Sequence, residues 1–134
     1  MVQSRSQKLQ RLVKVQRHLE HMAENELAVT SRARAEIDES MTAVVAAIGS
    51  VDSVHQLFAS IYSSQISRLT AKDQHLATVQ QIQEQKILRE RAKADRLADQ
   101  AKDARDVEQR DAEERTIFEI LDQQLALSSQ RGPM

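Results

Sequence analysis

Apolar residues recur every three or four positions along most of this chain, and the spacing is that of a helix face rather than a strand. The first run follows Leu12, Val15, Leu19, Ala23, Leu27, Thr30, Ala33, Ile37, Met41, Val44 and Ile48. Ten steps over 36 residues average about 3.6, the period of a straight α-helix and slightly above the 3.5 of a left-handed supercoil. The pattern predicts a helix over about 5–48, with Ser4 or Ser6 as its cap. The stretch Gly49-Ser50-Val51-Asp52-Ser53 reads as a turn. Gly49 is expected to close the first helix in the left-handed conformation, and Asp52 or Ser53 to cap the next. So short a connection predicts antiparallel neighbours.

The second run predicts a helix over about 54–127, followed by a disordered tail over 128–134. Its first half carries Leu57, Phe58, Ile61, Tyr62, Ile66, Leu69, Leu76, Val79, Ile82, Ile87 and Leu88. From Arg89 to Arg115 it becomes a helix of charges and alanines, with a thin seam at Ala94, Leu97, Ala101, Ala104 and Val107. Pairs four apart, such as Lys102 with Asp106 and Asp111 with Arg115, each add about 0.2–0.5 kcal/mol to such a helix. Between Met1 and Ser128 the only helix breaker is Gly49; Gly132 and Pro133 lie beyond. The expected fold is therefore all-α: one elongated antiparallel two-helix coiled-coil hairpin, a single domain over 1–134, with the second helix longer than the first.

At about 1.5 Å per residue the two helices would measure about 65 and 110 Å. Mirroring the chain about the turn sets Leu9 opposite roughly Ala94. About 30 residues of the second helix are then left over. That remainder ends in Ile117, Phe118, Ile120, Leu121, Leu125 and Leu127, an apolar cluster with nothing in the chain to cover it. Uncovered clusters of this kind mark binding surfaces. The competing arrangement, a second helix that folds back on itself, needs a hinge, and none is visible.

Composition narrows the picture. Phe58, Tyr62 and Phe118 are the only aromatics, too few for a bulky three-dimensional core. Charged residues make up 29% of the chain yet nearly cancel, to a net charge of -1. There is no cysteine, hence no disulfide and no thiolate metal site. The first residues show no signal-peptide core, and the longest apolar run, Ala43 to Ile48, is far short of a bilayer span. The expected compartment is the cytoplasm.

Signals for chemistry are thin. His18 and His21 stand one turn apart, but a zinc site needs three or four ligands, so they read either as surface histidines or as half a site. There is no glycine-rich phosphate loop and no nucleophile set beside a base, so neither an enzyme nor a cofactor is expected. Arg5, Lys8, Arg11, Lys14 and Arg17 precede any acidic residue, whereas Thr116 to Gln130 holds Glu119 and Asp122 and no basic residue. A basic stripe without stacking aromatics fits an acidic protein surface, or plain solvation, better than nucleic acid or a membrane surface.

Several segments carry a resemblance. Leu9-Gln10-Arg11-Leu12-Val13-Lys14-Val15-Gln16, followed by Glu24-Asn25-Glu26-Leu27-Ala28, is similar to the opening of the FliJ/YscO stalk proteins of type III export systems. The run from Leu57 to Leu69 resembles that family's entry into its second helix, and Glu113 to Asp122 its closing charged segment. Thr116 and Ile117 stand where the family usually has a basic or glutamine pair. The resemblance implies a two-helix coiled coil similar to the shaft of rotary ATPases. Such a shaft links a hexameric export ATPase to the membrane export gate and assists export chaperones, reaching the membrane only through its partners. By position, it implies gate contact at Phe58 and Tyr62, the latter in place of an aliphatic residue. It implies ring contact at Ile117, Phe118, Leu121 and Leu125, with Arg11 and Lys14. Two other readings stay open: a chaperone or escort for secreted subunits, and a structural coiled coil that self-associates through Ile117 to Leu127.

Overall fold

The computed structural model describes residues 3–49 and 53–130. These form three helices and no strand: α1 (Arg5–Ile48), α2 (Ser53–Leu57) and α3 (Ala59–Gln130). α1 packs against α3. The packing divides the chain into two units, Met1–Val15 with Lys93–Met134, and Gln16–Ala92.

α1 starts at a reciprocal cap. The Gln7 amide donates to Ser4 Oγ at 3.3 Å while the Ser4 amide donates to Gln7 Oε1 at 3.2 Å. Serine at the cap and glutamine three residues on thus satisfy two otherwise orphaned donors. Ser6, the other candidate cap, lies inside the helix and is buried.

At the far end of α1, Gly49 does not take the expected left-handed conformation. Its amide donates to the Val45 carbonyl at 3.1 Å, so it simply extends the last helical turn. A Cβ built there would meet the Val45 and Ala46 carbonyl oxygens at 3.7 and 3.8 Å, ordinary contacts. Gly49→Ala is therefore expected to raise stability by about 0.5–1 kcal/mol, read as a higher denaturant midpoint at unchanged slope. The predicted caps Asp52 and Ser53 are, respectively, outside the described residues and without a described side chain.

The second helical run is interrupted where the sequence predicts continuity. Phe58 is not helical; its amide donates to the His55 carbonyl at 3.2 Å, a tight three-residue turn. Normal spacing resumes when the Tyr62 amide reaches the Phe58 carbonyl at 3.0 Å. The His55 ring nitrogen and the Tyr62 hydroxyl, 3.0 Å apart, bridge the interruption. No glycine or proline marks the break, so it was invisible to a search for helix breakers. Ser128 to Gln130, assigned by sequence to a disordered tail, continue α3.

In the Gln16–Ala92 unit the α1 positions turned inward are Gln16, Glu20, Ala23, Leu27, Thr30, Arg34, Ile37, Met41 and Val44. Their steps alternate four and three, averaging 3.5 rather than 3.6. On α3 the inward positions Tyr62, Ile66, Leu69, Asp73, Leu76, Gln80, Gln83, Ile87 and Glu90 keep the same alternation. From Ala23 to Val44 the sequence-derived seam coincides with this face except at the predicted Ala33, beside which Arg34 makes the cross-helix contact. Before it, the predicted Leu19 is exposed, and its place is taken by Gln16 and Glu20. Ile61, Ile82 and Leu88 are likewise exposed.

In the other unit Ser6, Leu9 and Val13 face α3, while the predicted Leu12 and Val15 are exposed. Opposite them, Ala94, Leu97, Ala101 and Ala104 hold the inward positions as expected, with Glu108 in place of Val107. Gln10 and Val13 share a groove with Ala98 and Ala101, and Ser6 bonds Glu108. The level of Leu9 thus lies several residues beyond the predicted Ala94. The mirror estimate assumed that the turn ended at Ser53, whereas α2 and the Phe58 turn take up further chain.

Candidate partner-binding surfaces

Two kinds of surface result from this packing: a polar seam that fixes register, and apolar residues left outside it. The seam is built from side chains that a search for hydrophobic spacing passes over. Arg34 forks onto α3, with Nε donating to Asp73 Oδ1 at 3.0 Å, Nη2 to Asp73 Oδ2 at 3.3 Å, and Nη1 to Gln80 Oε1 at 2.9 Å. The fork ties one α1 position to two α3 positions a heptad apart, and charge assistance strengthens it. Glu20 accepts from Arg91 Nε at 3.0 Å and from Arg17 Nη1 at 3.0 Å. Gln16 donates to the Glu90 carbonyl at 3.3 Å and to its carboxylate. Lys86 reaches Glu26 at 3.4 Å. In the other unit Glu108 accepts from the Ser6 amide at 3.0 Å and the Ser6 hydroxyl at 2.5 Å. It thereby places a carboxylate on the N-terminal turn of α1, where free amides and the helix dipole favour an anion.

These contacts leave a titration signature. Hydrogen bonds from Arg91 and then Arg17 hold the Glu20 carboxyl below its ordinary 4.5. Ser6 does the same for Glu108, and Arg34 lowers Asp73 from 3.8 while rising itself. A carboxyl whose folded value is depressed adds stability above its unfolded value and loses it as pH falls through the folded one. The melting temperature is therefore expected to drop as pH falls from about 5 to about 3, and to drop less in Asp73→Asn. Equal acid sensitivity in that variant would show that the fork does not contribute.

The apolar residues outside the seam include those singled out by sequence. Ile117, Phe118, Leu121 and Leu125 are all exposed, as are Ile120 and Leu127. Every residue from Gln109 to Gln130 is exposed. At 100° per residue the first four lie within an arc of about 100° on α3. Arg11 is exposed and donates to Gln3 at 2.9 Å, and Lys14 lines the groove beside Val13 and Ala101. Among the described residues no hydrogen bond or ion pair joins either base to the apolar cluster. Phe58 and Tyr62 are brought together, one turn apart. Phe58 is exposed at the interruption, while Tyr62 is half-buried and bonded to His55, which leaves Phe58 the more available of the two.

No family model, curated protein or solved structure matches the chain. Among the described residues there is no group of three or more potential metal ligands; His21 pairs with Glu24 at 3.3 Å. No helix among them is long and apolar enough to cross a membrane.

Proposed function

We propose that this protein is a non-enzymatic central stalk of a type III or flagellar export system, as its resemblance to FliJ/YscO proteins suggests. On this reading α1 and α3 form an antiparallel two-helix coiled coil. Two features of the Gln16–Ala92 unit support it. As α1 positions rise from Gln16 to Arg34 their α3 partners fall from Glu90 to Asp73, and both faces repeat every 3.5 residues. The continuation of α3 beyond Glu108 is the arm that enters the pore of the hexameric export ATPase. Phe58 meets the membrane export gate, with Tyr62 behind it, and export chaperones engage the same shaft at the cytoplasmic face of the inner membrane.

The observation that carries this reading is the stretch Gln109–Gln130, helical throughout, exposed throughout, and bearing six large apolar side chains. As the extension of a packed helix this segment needs no new nucleus. Exposed apolar area of this kind is maintained at a cost in solubility, and a partner that covers it recovers that cost. The test is turnover of a cognate ring ATPase with and without the chain. The full chain is expected to co-purify with the ring and raise its turnover severalfold; truncation after Arg115 should abolish the increase. Stimulation that survives the truncation would remove the proposed role of the tip.

A further inference from the structure

The Gln16–Ala92 unit carries a second apolar stripe, outside the seam and unused by the proposed shaft. Its centre is the Glu26–Lys86 ion pair at 3.4 Å, which marks one edge where α1 and α3 meet. Residues three or four positions away share a helix face. Met22 and Val29 therefore flank Glu26 on α1, with Leu19 one turn further, and Ile82 and Arg89 flank Lys86 on α3. Leu19, Met22, Val29 and Ile82 are all exposed. On α3 this face carries Arg89 beside Lys86 with Lys72 and Arg68 further back, while Glu90, also one turn from Lys86, is engaged by Gln16 in the seam. Apart from Lys86, none of these bases forms an ion pair among the described residues.

We propose that this face binds the C-terminal helix of a second copy of the same chain. The apolar arc of Ile117, Phe118, Leu121 and Leu125 is bordered on its Phe118 side by Asp122 and Glu119, and neither acid forms an ion pair among the described residues. Greasy surface with an acidic border thus meets greasy surface with a basic wall. The lengths also agree: Leu19 to Val29 covers about 15 Å and Ile117 to Leu125 about 12 Å. The contact is heterologous, tip of one copy on flank of another, unlike pairing of the two tips. It shelters the tip while no other partner holds it.

A complementation experiment in sedimentation equilibrium tests this with the full chain. Met22→Asp and Leu121→Asp alter exposed positions, and unchanged far-UV circular dichroism serves as the folding control. The unaltered chain is expected to self-associate with a Kd below roughly 1 mM, and each variant alone to weaken by at least about tenfold. An equimolar mixture should regain association, because the Leu121→Asp copy offers an intact flank and the Met22→Asp copy an intact tip. Arg89→Glu should weaken association and Glu119→Arg in the second copy should restore it. A chain monomeric at every concentration overturns the proposal. So does a mixture that recovers nothing, or loss confined to Leu121→Asp, the result of tip-to-tip pairing.

Discussion

Ile87→Ala is expected to lower stability by about 2–4 kcal/mol, whereas Leu88→Ala, one residue along, should change it by less than about 0.5 kcal/mol. Both are large aliphatic residues in the middle of α3, and sequence spacing alone admits both to the seam. The packing separates them: Ile87 is 7% exposed and Leu88 61%. Removing two methyls and a methylene from Ile87 forfeits their transfer energy and leaves a gap between helices that relax only in part. The same truncation at Leu88 removes surface that water already reaches. Paired chemical denaturations followed by circular dichroism measure the difference. Similar losses at the two positions would mean that the face of α3 turned to α1 has been misidentified by about one residue.

The second large effect is expected from adding volume. Ala94 is fully buried, at 0% exposure, and Ala101 is close to it at 5%. Small residues there let the helices approach closely, so a leucine at Ala94 finds no room. Ala94→Leu is expected to cost about 1–3 kcal/mol through displaced neighbours and strained rotamers. Ala112→Leu, in the exposed extension of the same helix, is expected to stay within about 0.5 kcal/mol of the parent. This pair of substitutions also locates the end of the paired region. A large cost at Ala112 would place a partner segment against the stretch that is exposed throughout.

Much of this fold is legible in the sequence, and the misreadings share one cause. Hydrophobic spacing found α1 and α3 because apolar residues dominate the inward face from Ala23 to Val44 and from Ile66 to Ile87. It failed before Ala23 because Ser6, Gln16 and Glu20 hold inward positions, while Leu12, Val15 and Leu19 form an apolar row on the outside. Tracing the outer row into the inner one mixed two faces and inflated the average step from 3.5 to 3.6. A search that admitted polar residues with a partner of matching chemistry on the other helix, Arg34 with Asp73 for example, would have kept the alternation. The apolar cluster from Ile117 to Leu127 was readable because none of the described residues covers it. The break at Phe58 was not, since it rests on a tightened turn and a His55–Tyr62 bridge between ordinary helix-tolerant residues.

The flank of Leu19, Met22, Val29 and Ile82 is more than a by-product of the seam. It is surface that the intramolecular seam does not use, and the same is true of the tip. Apolar area on two separate surfaces, one walled by bases and one bordered by acids, is costly in a chain that binds nothing. The proposed stalk role and the proposed contact between copies both make use of it.

Amide hydrogen exchange over Gln109–Gln130 is the most direct measurement, made on dilute chain below its self-association and again with the ATPase ring. In the free chain these amides should exchange far faster than those of 62–104, because only local helix opening protects them. Addition of the ring should slow them, with the largest change around Phe118 and Leu121. Protection in the free chain equal to that of the paired region, or exchange unchanged by the ring, would contradict a tip left open for a partner.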